Sequence, residues 1–254
     1  MYTIAIVSGN GGVGRTTIAA SLAAMIARRG RPVLALDFDP QNALGLNLGL
    51  APEETDGLVR RMIDGGRWHE AAFQNSDQVR FLPYGATDEA GRLAFEARLT
   101  GEAGWLPARL AEVDLPAETI IIADTPRLPS LAALAVVAAA DLVIGVMNAD
   151  TQCYARLPVL RSLVAGKAPL CFVLNQFDAT RRLQNDVLAL LRPELGERLI
   201  PYLVHRDEAV PEAVASNRSL AEQSPHSQAA HDLQGLASWV LARIRQVSNP
   251  GATA

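Results

Sequence analysis

The sequence predicts an α/β fold in which a doubly wound, mostly parallel sheet carries helices on both faces. Two observations support this: short apolar runs alternate with helical segments, and most of the runs are continuously apolar. Such strands are typical of sheets covered on both faces, and their alternation with helices is typical of parallel sheets. The chain has 254 residues, of which 49% are apolar. We therefore expect one domain over residues 1–247 and a disordered tail over 248–254.

The elements follow from these runs in chain order. The predicted strands are Thr3–Ser8, Pro32–Asp37, Val79–Tyr84, Thr119–Asp124, Leu142–Met147, Leu170–Asn175 and Leu199–Leu203. The predicted helices include Arg15–Arg29, Asp88–Arg98, Ser130–Ala140, Gln152–Ala165, Arg181–Leu191 and a last one from Pro225 to Val247. Thr87 and Ser224 are the predicted N-caps of the second and the last helix. The apolar stripe of the last helix favours packing on the sheet over membrane binding.

The composition excludes several classes of protein. The net charge of −4 argues against a strongly basic nucleic-acid-binding surface, so we expect no nucleic acid partner. The two cysteines, Cys153 and Cys171, cannot form a disulfide framework, which indicates a reducing, cytoplasmic compartment. The most membrane-like stretch, Leu131–Ala149, is interrupted by Asp141, so we expect no transmembrane segment. Lys167 is the only lysine in the chain.

A glycine-rich stretch links the first predicted strand to the first helix. From Gly9 to Thr16 it meets the pattern Gly, four residues, Gly, Lys, Ser/Thr, except that Arg15 replaces the lysine. Glycines let several backbone N–H groups point at one anion, and the helix N-terminus adds positive charge. The hydroxyl of Thr16 is placed to bind Mg²⁺, and that of Thr17 to bond a phosphate oxygen. A glycine turn without a ligand is the alternative, which the strand and helix context disfavours.

Two further strands end in carboxylates. Asp37 and Asp39 lie two residues apart at the end of the second strand, so they share a face if the strand continues, and one could orient a water near a γ-phosphate. Asp124 ends a buried apolar run, where NTPases hold Mg²⁺. Each signal is weak alone. In this order, with the glycine loop, they predict nucleotide binding.

At these residues the chain resembles the ParA/MinD family of deviant-Walker P-loop ATPases. The family loop Lys-Gly-Gly-x-Gly-Lys-Thr-Thr corresponds to residues 10–17 here, and Asp-x-Asp-Pro-Gln to residues 37–41. The resemblance implies a P-loop NTPase domain that binds ATP and Mg²⁺ and forms a homodimer around the nucleotide. It implies nucleotide contacts from Gly11, Gly12, Val13, Gly14, Arg15, Thr16, Thr17, Asn175 and Pro201, with the last two beside adenine. The implied Mg²⁺ residues are Thr16, Asp39 and Asp124, and the implied catalytic residues are Asp39, which orients water, and Arg15.

Within that family the chain is most similar to the BcsQ branch of bacterial cellulose synthesis. The stretches that carry this resemblance are Ala35–Leu44, Phe81–Ala86, His205–Val210 and Ser224–Leu233. The resemblance implies a cytoplasmic protein that other cellulose-synthesis (Bcs) subunits recruit to the inner membrane or the cell pole. There it would support assembly or positioning of the cellulose synthase secretion complex. The alternatives are a ParA-type DNA-partitioning ATPase, a MinD-type cell-division positioning ATPase and a scaffold whose ATP is never hydrolysed.

Two departures from the family loop bear on turnover. Asn10 stands where the family has the lysine that reaches the partner's nucleotide across the dimer, and asparagine is shorter and uncharged. Arg15 stands where a lysine cradles the β- and γ-phosphates. Arginine keeps the charge, but its planar fork has a different shape. We therefore expect ATP binding and dimerisation with slow or absent hydrolysis.

Two polar groups near the predicted base site have open interpretations. Asp207 and Glu208 either cap the following helix or contact the nucleotide or a partner. Arg181 and Arg182 are either a solvated pair or part of a nucleic-acid patch.

Overall fold

The predicted α/β fold is confirmed in a computed structural model, which describes residues 1–101 and 104–248. Its sheet contains seven strands in the order β3-β4-β2-β5-β1-β6-β7. All neighbouring pairs are parallel except β3 and β4. The strands are β1 Tyr2–Val7, β2 Val33–Asp37, β3 Phe73–Gln74, β4 Arg80–Leu82, β5 Ile120–Asp124, β6 Leu142–Met147 and β7 Leu170–Leu174.

The helices connect these strands and cover the sheet. Within the described ranges they are α1 Arg15–Ala27, α2 Leu44–Asn47, α3 Leu58–Ile63, α4 Glu89–Gly101, α5 Trp105–Leu110, α6 Leu131–Ala138, α7 Thr151–Val164, α8 Arg182–Leu195, α9 Ala209–Ala215, α10 Leu220–Gln223 and α11 Gln228–Ser248. In these same ranges no helix combines the length and the apolar character that crossing a membrane requires.

The predicted strand Leu199–Leu203 is wrong. Leu199 forms only an isolated bridge with Phe172. The segment then donates twice to β7, from Ile200 N–H to the Phe172 carbonyl (2.8 Å) and from Val204 N–H to the Leu174 carbonyl (2.9 Å). A regular parallel ladder would have Tyr202 as the next donor to Leu174, whereas Val204 donates instead, so the register is lost after Ile200. The two-residue edge strand β3 was too short to predict.

Both predicted N-caps are also wrong. Asp88, not Thr87, accepts the hydrogen bond from the N–H of Gly91 (2.8 Å). The last helix begins at Gln228, where Ser227 Oγ accepts from Ala230 N–H (3.2 Å), while Ser224 follows the end of α10. Of the predicted tail 248–254, Ser248 is the last residue of α11, and residues 249–254 lie outside the described residues.

Two buried helices hold the start of the chain in place. Every residue of α1 from Ile18 to Ala27 is buried, and α11 packs against α1. The inward side chains of α11, which include Leu233, Leu236 and Val240, are fully buried. The apolar stripe of α11 is therefore buried in the protein, and the helix it packs against is α1, whereas the prediction places it on the sheet. The segment between β1 and α1 is thus held at both ends by buried structure.

Candidate nucleotide-binding site

The carboxyl ends of β1, β2 and β5 meet at a cavity of about 500 Å³. This is the edge of a parallel sheet where ligands bind. The cavity is lined by Gly11, Gly12, Val13, Gly14, Arg15, Thr16, Asp39, Gln41, Pro126 and Arg127. The structure therefore brings together the predicted loop residues from Gly11 to Thr16 and Asp39. Thr17 lies half-buried on the first turn of α1, outside this lining, and Pro201 is exposed elsewhere.

The glycine loop is shaped by Asn175, which follows the end of β7. The Asn175 side chain donates from Nδ2 to the carbonyl oxygen of Val13 (2.8 Å). Gly14 has a φ of +84°, and a Cβ atom built there would lie 2.2 Å from Asn175 Nδ2. Gly14 is therefore required both by its backbone conformation and by this close approach. Asn175, whose implied partner is adenine, uses one amide hydrogen to support the phosphate loop.

Arg15 is paired with the residue predicted to orient water. Its Nη2 donates to Asp39 Oδ2 (2.9 Å), and its Nη1 donates to Ser8 Oγ (3.0 Å). The two charged side chains are 11% and 9% exposed. Arg15 Nε is also buried and has no partner among the described residues. Of the five N–H donors of a guanidinium, one bonds Asp39 and one bonds Ser8. Arg15 therefore holds Asp39 and still has donors for a phosphate oxygen.

Both oxygens of Asp39 already have partners. Oδ2 accepts from Arg15, and Oδ1 accepts from the N–H of Gln41 (3.0 Å). Asp37 supports the same turn, because its two oxygens accept from the N–H groups of Asp39 (2.9 Å) and Leu44 (3.0 Å). Each oxygen accepts one hydrogen bond and keeps a second lone pair, so Asp39 is held in a fixed orientation and can still accept from a water molecule. A metal contact of Asp39 stays a prediction.

Thr16 and Asp124 form the part of the site that fits Mg²⁺. Thr16 Oγ1 donates to Asp124 Oδ2 at 2.6 Å. Asp124 Oδ1 is buried and has no partner among the described residues. An unpartnered buried carboxylate oxygen is costly unless a cation or donor completes it. Mg²⁺ is usually held by one or two carboxylates together with substrate phosphates, so these residues fit the ion.

The carboxylates behind the loop have perturbed acidity. Asp37 and Asp124 are register partners on β2 and β5, and both are fully buried. Burial raises the pKa of Asp124 to about 7, opposed by the hydrogen bond from Thr16. Burial and the neighbouring Asp124 raise the pKa of Asp37 well above its usual range. Two adjacent carboxylates without a cation resist ionisation, and a divalent cation would reverse that preference.

The raised pKa predicts a pH-dependent metal affinity. Mg²⁺ binds the ionised carboxylate, so protonation of Asp124 below pH 7 competes with the ion. We expect the Mg²⁺-dependent part of ATP affinity to weaken by up to about tenfold per pH unit below 7. Calorimetric titrations at pH 6, 7 and 8, with and without Mg²⁺, measure this dependence. Asp124→Asn should remove it, which separates it from protonation of ATP itself. Equal loss in both proteins between pH 8 and pH 6 would contradict the prediction.

Three side chains that hydrogen-bond to this loop were not predicted. Ser8 donates from Oγ to the carbonyl of Asn10 (2.7 Å) while accepting from Arg15. Arg156 on α7 donates to the carbonyl of Gly9 (3.2 Å). Gln176 donates from Nε2 to the carbonyl of Gly12 (3.1 Å). The Arg156 and Gln176 contacts join residues 147 and 164 positions apart, so no local pattern could have indicated them.

The segment after β7 is fastened to the last helix. His205 donates its N–H to Asp232 Oδ2 (2.9 Å), and its Nδ1 lies 2.8 Å from the same oxygen. Asp207 accepts from Ala209 N–H and from Ala229 N–H, both at 3.0 Å. The capping interpretation is therefore confirmed for Asp207.

The two neighbouring arginines after β7 form surface ion pairs. Arg181 Nε lies 3.1 Å from Asp178, and Arg182 Nε lies 3.8 Å from Asp186. This agrees with the interpretation of a solvated pair.

The glycine loop, together with the hydroxyl and carboxylate behind it, defines a P-loop protein of the ParA/MinD class. The comparison with known families identifies a narrower group within this class. The chain belongs to the BcsQ family, because the family model "Cellulose biosynthesis protein BcsQ" matches residues 1–241.

Individual relatives agree with this placement. Cellulose biosynthesis protein BcsQ of Escherichia coli K12 is 29% identical over 252 residues, covering 96% of each chain. The chromosome-partitioning ATPase Soj of Thermus thermophilus is 29% identical over 255 residues, again covering 96% of each. Among solved structures, the septum site-determining protein MinD of Pyrococcus horikoshii, complexed with Mg-ADP, has a TM-score of 0.74 and 24% identity. That match covers 96% of this chain and 98% of MinD. The family resemblance stated from the sequence is confirmed.

Proposed function

We propose that the protein binds Mg²⁺ and ATP, dimerises around the nucleotide, and hydrolyses it slowly or not at all. As a dimer it would support assembly or positioning of the bacterial cellulose synthase secretion complex. The observation that carries nucleotide binding is the unpartnered oxygen of Asp124, whose other oxygen lies 2.6 Å from the Thr16 hydroxyl at the base of a glycine loop. The Mg-ADP complex of the structurally similar MinD supports the same ligand class.

Each part of the site has a distinct task in this proposal. The backbone N–H groups of the loop, with the N-terminus of α1, bind phosphate oxygens. Thr16 and Asp124 hold Mg²⁺, which neutralises phosphate charge when it is bound. Arg15, which lines the cavity, adds guanidinium donors that Asp39 and Ser8 do not use. Asp39 is the acceptor for an attacking water.

The same contacts support slow hydrolysis. Asp39 is held by Arg15 in a buried charge-assisted pair at 2.9 Å, which offsets the negative charge with which Asp39 would attract a proton from the attacking water. Phosphoryl transfer depends on charge positioned at the reacting phosphate. Asn10 brings no charge to a partner's nucleotide. The site therefore has the groups that bind ATP, but their arrangement favours slow hydrolysis.

Membership of the BcsQ family supports the role in cellulose synthesis. The ion pairs of Arg181 and Arg182 with neighbouring aspartates reduce the positive charge available to a nucleic acid. This favours cellulose synthesis over DNA partitioning, the activity of the Soj relative. We propose that recruitment to the inner membrane or the cell pole goes through other Bcs subunits.

The proposal predicts nucleotide-dependent association. With Mg²⁺ and ATP, light scattering should show a dimer, and cellulose synthase subunits should co-purify from the source bacterium. Thr16→Ala removes the hydroxyl behind the loop and should abolish both. Thr180→Ala, on the exposed surface, is the matched control and should behave as the natural protein. Failure to bind ATP, or salt-sensitive retention on DNA without cellulose synthase subunits, would contradict the proposal.

A further inference from the structure

The phosphate cavity has an unusual balance of charge. Position 10 is asparagine, and the charge of Arg15 is offset by Asp39 at 2.9 Å. Asp124 adds a second carboxylate behind the loop. The terminal phosphate of ATP carries more negative charge than either of the other two. Beside the loop N–H groups and the Mg²⁺ proposed at Thr16 and Asp124, a side-chain cation without an acidic partner could contact its remaining oxygens.

Arg127 is a cation at this cavity that can contact the terminal phosphate. It lines the same cavity as the glycine loop and Asp39, and it is exposed. In the described part of the chain no acidic side chain pairs with it. Its guanidinium is therefore not committed to an ion pair. This distinguishes Arg127 from Arg15, whose charge is already engaged.

The backbone around Arg127 is hydrogen-bonded to β1 and to Ser8, the residue that directly follows this strand and precedes the glycine loop. Leu128 donates its N–H to the carbonyl of Ser8 (2.9 Å). Thr125 Oγ1 donates to the carbonyl of Ile6 (2.7 Å). Because both contacts end on β1 or directly after it, Arg127 keeps a constant position relative to the loop. Its side chain has freedom, but its Cα atom has little.

The sheet order indicates which phosphate lies nearest. Arg127 follows β5, and β1 and β6 lie between β5 and β7. Asn175, which is implied to read adenine, follows β7. A nucleotide with its base beside β7 and its phosphates on the loop after β1 points its terminal phosphate toward the ends of β5 and β2. Arg127 and Asp39 lie at that end of the cavity.

We propose that Arg127 binds the γ-phosphate of ATP in this chain and so distinguishes ATP from ADP. The inference rests on the proposed nucleotide binding. The arginine fork pairs with two phosphate oxygens at once, which a lysine ammonium does not match. Arg127 supplies the positive charge that Asn10 lacks and that Arg15 shares with Asp39.

The test compares two nucleotides in matched variants. Arg127→Gln should weaken affinity for Mg²⁺ with a non-hydrolysable ATP analogue by about 10- to 100-fold. Affinity for ADP with Mg²⁺ should stay within about twofold, since ADP lacks the group that Arg127 contacts. Arg127→Lys keeps the charge without the fork, so its affinity for the ATP analogue should lie between that of the natural protein and that of Arg127→Gln. Arg198→Gln removes the same charge from an exposed residue outside this cavity and should leave the ATP/ADP ratio unchanged.

The outcomes separate this inference from the proposed function. Equal weakening of ATP and ADP, or no weakening of either, overturns the role of Arg127. A drop in the ATP/ADP ratio in Arg198→Gln as large as in Arg127→Gln also overturns it, because overall charge would then explain the effect. If the natural protein binds neither nucleotide, the proposed function itself fails before any variant is compared.

Discussion

Replacing Asn10 and Arg15 together by lysine is expected to raise the rate of ATP hydrolysis by about 100-fold, the effect typical of one positioned electrostatic group. Lysine at position 15 has a single ammonium and no fork, so it cannot donate to Asp39 and Ser8 in the way that Arg15 does at 2.9 and 3.0 Å. Asp39 is then available to a water molecule. Lysine at position 10 adds a charge that reaches a partner's nucleotide. Steady-state phosphate release, measured with saturating Mg²⁺ and ATP, gives the rate.

The single variants divide the effect between its two causes. Arg15→Lys alone tests release of Asp39. Once the protein is fully dimeric, the increase in hydrolysis rate per protomer should not depend on protein concentration. Asn10→Lys alone tests the contact across the dimer. Asp39→Asn in the double variant should return the rate to its starting level. A natural protein that turns over rapidly and is slowed by the two lysines would reverse our account of the site.

Gly14→Ala is expected to weaken ATP binding by at least about 100-fold, because a displaced loop loses several phosphate contacts of about 1.5 kcal/mol or more each. The backbone at Gly14 has a φ of +84°, and the new Cβ atom would lie 2.2 Å from Asn175 Nδ2. Relief of that contact requires either the loop or Asn175 to move, and the bond from Asn175 to Val13 (2.8 Å) breaks in either case. Calorimetric titration with Mg²⁺ and ATP measures the loss.

A second glycine separates crowding from backbone strain. Gly30 has a φ of +75°, and a Cβ atom added there would have no neighbour within 4 Å among the described residues. Gly30→Ala therefore carries only the conformational cost of about 1 kcal/mol in unfolding free energy. Its ATP affinity should match that of the natural protein. Adding Asn175→Ala to Gly14→Ala removes the crowding atom and should restore part of the affinity. Full ATP binding by Gly14→Ala would show that the loop tolerates the side chain.

The sequence predicted most of the sheet and the position of the site. Continuous apolar runs located six of the seven strands, since buried parallel strands carry no competing polar pattern. The carboxylates at their ends located the cavity, because parallel strands end at one edge. The failures have a common cause in tertiary contacts. Leu199–Leu203 is apolar enough for a strand, but its register with β7 is lost after Ile200, because Val204 instead of Tyr202 donates to Leu174. The start of α11 depends partly on Asp207, whose Oδ2 accepts from Ala229 N–H across 22 residues.

The pairing of Arg15 with Asp39 illustrates a further limit. From the sequence Arg15 is simply a substituted lysine that keeps its charge. Its length and planar fork let it reach Asp39, which lies 24 residues away, and Ser8 on the other side. An arginine at position 15 predicts a positive charge at the loop. That this charge pairs with Asp39 depends on how β1 and β2 are placed relative to α1, which the sequence does not show. Arg127 was missed although it lies three residues after the predicted Mg²⁺ residue Asp124, because the sequence does not tell which side chains after β5 face the cavity.

The double role of Asp207 has a mechanical consequence. One carboxylate holds the starts of α9 and α11 together, and Asp232 of α11 holds His205. Helix α11 in turn packs along α1, whose first turn forms the floor of the phosphate cavity. The segment beside the implied base and the loop beneath the phosphates are thus connected through two packed helices, α11 and α1. Both ends of the nucleotide site therefore depend on the same pair of packed helices, so a substitution that loosens α11 from α1 should disturb the base end and the phosphate end together.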